Sequence, residues 1–139
     1  MGLSAVVYKS ASALEKEFPG YHFRCEPTSG ECEVIYPDGA RIPQDTVTAC
    51  ERRFGNISHI GVLRETIFGY LGKGSALERL VLYSGSHAGD VIKGASFDDL
   101  EGELRLIESS PEAVVREFAD ELLALISMAR LEQNPIVFV

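Results

Sequence analysis

The stretch from Ser109 to Val139 constrains the fold most. Ser109 or Ser110 can cap a helix, and Pro111 would stand at its favoured first position. Val114, Phe118, Leu122, Leu125, Ile126 and Ala129 then fall on one helical face. Asn134-Pro135 ends the helix, and Ile136-Val137-Phe138-Val139 is short, apolar and mostly β-branched, as a strand tucked into a sheet is. A long helix with one apolar stripe must lay that stripe on something. A strand with no polar face needs cover on both sides. Together they demand a sheet with helices packed on it.

The remaining segments supply the partners. Leu3–Tyr8 reads as a strand, and Ser10 or Ser12 can cap a short helix carrying Leu14 and Phe18, ended by Pro19-Gly20. Tyr21–Cys25 and Cys32–Tyr36 alternate around a Pro27-Thr28-Ser29-Gly30 turn. Pro37-Asp38-Gly39 turns the chain again into Ala40-Arg41-Ile42, which completes a meander. Val47, Cys50 and Phe54 recur at helical spacing, with Asp45 or Thr46 as a cap and Gly55 as the stop. Asn56 caps the next helix, with its stripe at Ile60, Leu63, Ile67 and Leu71, and Gly72-Lys73-Gly74-Ser75 closes it. Glu78–Tyr83 reads as a strand, and Val91-Ile92 extends or flanks the sheet. Ser96 or Asp98 caps a helix with Phe97, Leu100, Leu104 and Ile107 inward. The expected architecture is α+β, one domain over residues 1–139. A mostly antiparallel sheet forms from the meander, Leu3–Tyr8, Leu80–Tyr83 and Ile136–Val139. Helices over 57–71, 97–109 and 111–132 cover one face, and the C-terminal strand closes the sheet.

Composition limits the function classes. A chain of 139 residues, 45% hydrophobic and 24% charged, suits one globular domain with a core of its own. Its net charge of −8 disfavours nucleic acid, which is bound mainly through Lys and Arg on phosphates, and suits a basic partner. No run approaches the ~18 apolar residues of a membrane span. The N-terminus lacks a basic segment followed by a long apolar one, so the cytoplasm is the expected compartment. Cys25, Cys32 and Cys50 are odd in number. Cys25 and Cys32 can face each other across the first hairpin, but reduced thiols are the expectation in a cytosolic chain, and the spacing is wrong for zinc.

The charge is uneven. From Asp90 to Glu121 there are ten carboxylates against Lys93, Arg105 and Arg116, which leaves seven of the chain's net negative charges in one segment. Helix N-termini account for Asp98, Asp99 and Glu112. They leave Glu103, Glu108, Glu117, Asp120 and Glu121, which form either a solvated helix face or a surface for a cationic partner.

Ser84-Gly85-Ser86-His87-Ala88-Gly89-Asp90 places one imidazole and one carboxylate among small residues. A catalytic triad draws its members from separate segments, and the glycine spacing around Ser86 does not fit a nucleophile elbow. One His and one Asp are too few for a metal without His22 or His59. The loop is therefore either a turn held by the Asp90 carboxylate or a recognition element built on Ser86, His87 and Asp90. Gly69–Ser75 fails the spacing of a phosphate loop and follows a helix rather than a strand. No catalytic residue, cofactor or metal is expected.

Arg53-Phe54-Gly55-Asn56-Ile57 with Leu63-Arg64, then Leu82–Asp90, then Asn134-Pro135-Ile136-Val137-Phe138, form in that order a pattern that resembles small bacterial immunity-like proteins of polymorphic or contact-dependent toxin systems. The resemblance runs from about Arg53 to the C-terminus. It implies a non-catalytic protein that neutralises a cognate toxin domain by occlusion. The contact residues would be Ser86, His87, Asp90, Glu103, Glu108, Glu117, Asp120 and Glu121. The alternatives are a small enzyme or ligand-binding domain centred on His87 and Asp90, and a homodimer formed through a sheet edge or helix face.

Overall fold

The computed structural model describes residues 2–35 and 44–139. Its order is β1 (Gly2–Tyr8), α1 (Ala11–Glu17), β2 (His22–Cys25), β3 (Cys32–Ile35), β4 (Thr48–Asn56), α2 (Ile57–Leu71), α3 (Ala76–Leu80), β5 (Val91–Ile92), α4 (Phe97–Ile107), α5 (Ala113–Glu132) and β6 (Ile136–Phe138). The fold is α+β, and every described strand pair is antiparallel.

The main sheet runs β4-β1-β6-β5. Its two faces differ because strand side chains alternate. Ala5 pairs with Phe138 and Ile92 with Ile136, and these four share one buried cluster with Leu3, Val7 and the inward residues of α2, α3, α4 and α5. Val6, Val137 and Val91 pair in a row on the opposite face. The apolar C-terminal strand therefore joins the sheet as expected. It lies between β1 and β5, which pair with both of its edges, and all three of its residues are buried.

Four expectations are corrected. Thr48–Asn56 is a strand rather than a helix, paired with β1 along its length. The register slips between Leu3 and Ser4, opposite Phe54, and again between Val7 and Tyr8. Such bulges break strict alternation, so the apolar residues of β4 fall by accident at helical spacing. Gly55 does not cap a helix but sits in that strand at φ 149, where the His59 ring leaves no room for a Cβ. Leu80–Tyr83 is not a strand: residues 76–80 are helical and the chain beyond them is irregular. The hairpin does not join the main sheet. β2 and β3 form a sheet of their own, and their Cys32 packs with Leu14 of α1 and Val47 in a second small core. Finally, Cys25 and Cys32, directly opposed in the hairpin, are joined in a disulfide rather than reduced. The expected Pro37–Gly39 turn and the strand after it lie outside the described residues.

The caps follow the sequence more closely. Ser10 and Asn56 accept hydrogen bonds from Ala13 N and His59 N at the starts of α1 and α2. In α5 the buried stripe is Val115, Phe118, Ala119, Leu122, Leu125, Ile126 and Ala129, so Val115 takes the place expected for Val114. Pro111 lies before the helix. Ser110 accepts from Glu112 N, and Glu112 is the cap residue.

Candidate functional site

Residues 81–90 connect α3 to β5 without regular structure, yet they are held closely. Val81 and Leu82 are buried in the main core. Arg64 of α2 donates to the carbonyls of Leu82 and Tyr83, each at 3.3 Å. A Cβ on Gly85 would lie 2.9 Å from Ile57 Cα, so only glycine lets the loop lie this close to α2. Ser84 Oγ accepts from Ser86 N and donates to Ser86 O, closing a turn on itself.

His87 is the centre of this arrangement. Its side chain is 5% exposed. The ring stacks on Tyr83 at 4.4 Å between centroids and meets the edge of Phe138 at 4.2 Å. Nε2 lies 2.8 Å from Val81 O. A carbonyl only accepts, so Nε2 carries the proton. Asp90 Oδ2 lies 3.4 Å from Nδ1, too far for a well-directed hydrogen bond, and Nδ1 has no hydrogen-bond partner among the described residues. The backbone around it stitches the loop to β6: Gly89 N donates to Phe138 O at 2.8 Å and Phe138 N to Asp90 O at 2.9 Å.

This geometry gives His87 structural work. The imidazole is bonded to a main-chain carbonyl rather than to a serine, and the Ser84 hydroxyl is spent on its own turn. A nucleophile needs its base within hydrogen-bond reach. The loop places His87 beside Asp90, but it orients the imidazole into the protein and leaves the Asp90 carboxylate half exposed.

The acidic segment divides into two groups. Glu103 of α4 reaches across to α3, where its two oxygens accept from Ala76 N and Leu77 N, both at 2.8 Å. Two of the donors that any helix N-terminus leaves without partners are thereby satisfied by a charge of the favourable sign. Glu108 pairs with Arg105 at 3.0 Å. Asp98 and Glu101 both bind Arg130 of α5. Glu117, Asp120 and Glu121 are different. They lie one turn apart on α5 and make no hydrogen bond or salt bridge among the described residues. Burial pushes the Glu121 carboxyl above its ordinary value; Arg52 and His59 oppose the shift and Glu117 adds to it.

The eight residues expected to make contact thus stand on three elements and differ in what holds them. Three belong to the loop, Glu103 and Glu108 serve the fold, and three stand on α5. Among the described residues no three His, Cys, Asp or Glu side chains come together to hold a metal ion. Among the same residues no helix is long and apolar enough to cross a membrane. Sequence reasoning missed Val81, Tyr83 and Phe138, which fix His87, and Arg64, which holds the carbonyls of Leu82 and Tyr83 beside it. It also passed over Ser75-Ala76-Leu77-Glu78, a capping-box pattern that marks the start of α3: Ser75 Oγ accepts from Glu78 N, and Glu78 accepts from Gly74 N. Comparison with protein-family models, curated proteins and solved structures finds no match.

Proposed function

We propose that this chain is a non-catalytic protein-binding domain that docks a cationic protein through the outer face of α5. The partner class is the one the sequence resemblance implies, a basic toxin domain neutralised by occlusion. The observation that supports this reading is the division of carboxylates. Most acidic side chains of α4 are engaged within the fold, whereas Glu117, Asp120 and Glu121 lack a hydrogen-bonded cation among the described residues. Asp120 and Glu121 each lie one turn from Glu117 and repel it, and a cation brought against the three relieves that repulsion. Such complementarity speeds encounter and sharpens partner choice more than it adds raw affinity.

The compartment in this reading is the cytoplasm. Bonds such as Cys25–Cys32 are uncommon there and respond to the thiol pool. Alkylating the protein in cell extracts with and without reductant reports whether the bridge is closed.

The test is titration calorimetry against the protein encoded by the neighbouring gene, at low and high salt. Saturable binding that weakens with salt, and weakens again in a Glu117→Gln, Asp120→Asn, Glu121→Gln variant, supports the reading. Binding that ignores both salt and the three substitutions removes α5 as the contact surface. No binding removes that protein as the partner.

A further inference from the structure

A cleft of about 550 Å³ opens where the hairpin module meets the main core, and nothing in the proposed docking reading uses it. Its walls come from three distant parts of the chain: the β2–β3 turn at Pro27 and Thr28, the segment from Lys93 to Phe97, and the end of α5 with the residues after it. Its size is that of small-molecule pockets, and such pockets favour junctions between packed units.

The chemistry of the lining is mixed in an instructive way. Pro27, Phe97, Ala129 and Pro135 give it an apolar floor and sides. Two cations line it, and they are not equivalent. The Arg130 guanidinium is held by Asp98 and Glu101, so it contributes a fixed, flat wall whose two carboxylates outweigh its charge by one. Lys93 has no salt bridge among the described residues, in a chain with eight more acidic than basic side chains. Among the described residues, Lys93 is thus the cation of the lining that no carboxylate pairs with. Lys93 also opens the short 3₁₀ turn Gly94–Ser96, whose start has no side-chain cap.

The far wall carries the one non-glycine residue at positive φ among those described, Gln133 at φ 54. It stands just past α5, where its N–H bonds the carbonyls of Ala129 and Arg130, so a side chain in place of the usual glycine lines the cleft. The next residue, Asn134, donates from Nδ2 to Tyr8 O at 2.7 Å and packs on Gly30 of the hairpin. That contact ties hairpin to sheet and fixes the width of the opening.

From these features we infer that the cleft is a binding site for a small amphipathic monoanion, a carboxylate on an aromatic or aliphatic body. The body would lie on Phe97 and the two prolines, and the carboxylate would meet Lys93. One lysine does not balance a di- or triphosphate, so nucleotides are excluded on charge.

The test uses 2-naphthoate as probe, with 2-naphthamide as its neutral isostere and inorganic phosphate as a bare anion. Binding is followed by amide chemical-shift titration of the whole chain. The expected result is saturable shifts confined to residues around Lys93–Phe97, Gln133–Asn134 and Thr28, with naphthamide about tenfold weaker. Lys93→Met should remove that preference by weakening naphthoate alone. Thr28→Trp, which fills the mouth, should abolish both. Shifts scattered over other surfaces, or none, overturn the site. Equal binding of naphthamide overturns the anion, and equal binding of phosphate overturns the apolar body. The spectrum of each free variant shows whether it is folded. The outcome is independent of whether α5 docks a partner, because the cleft shares no residue with Glu117, Asp120 and Glu121.

Discussion

His87 of the loop and Glu103 of α4 are turned onto the protein's own backbone, whereas the carboxylates on the outer face of α5 are not. His87 bonds Val81 O, and Glu103 accepts two amide protons at the start of α3. Glu117, Asp120 and Glu121 carry similar chemistry and have no such bonds among the described residues. The contrast shows that charge density along a chain is a poor guide to a binding surface. What matters is which charges remain after the fold has used the others. It also separates the two kinds of measurement: substitutions in the first group should change stability, and substitutions in the second should change association.

The largest expected effect tests the first group. His87→Ala removes a buried ring packed between two aromatics and leaves Val81 O without its donor. A loss of about 3 kcal/mol in urea unfolding is expected, in the range for buried aromatic truncation. If stability stays within about 0.5 kcal/mol, as at an ordinary surface position, the imidazole is not a core group and the recognition reading of the loop revives. Glu103→Gln should cost about 2 kcal/mol, since an amide oxygen is a weaker acceptor and its NH₂ would face a helix N-terminus. The same change at Glu117, or Asp120→Asn, should stay within about 0.5 kcal/mol. Equal losses on α4 and α5 would erase the distinction between the two groups.

The same contrast explains what the sequence could and could not disclose. β1, α1, the first hairpin, α2, α4, α5 and β6 announce themselves through local periodicity and caps, because each signal lies within a few residues of the element it marks. β4 does not, since its bulges arise from pairing with β1 almost fifty positions earlier. α3 carries its own Ser75–Glu78 signal, but Leu80-Val81-Leu82-Tyr83 masks it with an apolar run that is buried without being extended. The second cap on α3, Glu103, is 26 residues beyond Leu77 and has no local signature. For the site, spacing put His87 near Asp90 but said nothing of which way the ring points. That is decided by Tyr83, Phe138 and Val81. The cleft left no trace in the sequence, as its walls meet only once the hairpin has docked.

The smallest effects are in acid, and here two carboxylates should pull in opposite directions. Glu26 accepts from Thr28 N at 3.0 Å and Ser29 N at 2.7 Å in the hairpin turn, which holds its carboxyl down at about 2 from an ordinary value of 4.5. Its stabilising contribution is complete above 4.5 and is lost as pH falls from there towards about 2. Glu121 is raised instead, chiefly by burial. The folded state then holds its proton more tightly than the unfolded chain does, so stability rises as pH falls through its folded value towards 4.5. Glu26→Gln should therefore flatten the acid limb of the stability profile below 4.5, and Glu121→Gln should flatten the shallow rise just above it, with a small gain at neutral pH. Urea midpoints taken across this range for both variants separate the two. A Glu121→Gln protein that loses stability at neutral pH would mean that its carboxylate is held by Arg52 as firmly as those of α4 are by their partners, and the outer face of α5 would no longer stand apart.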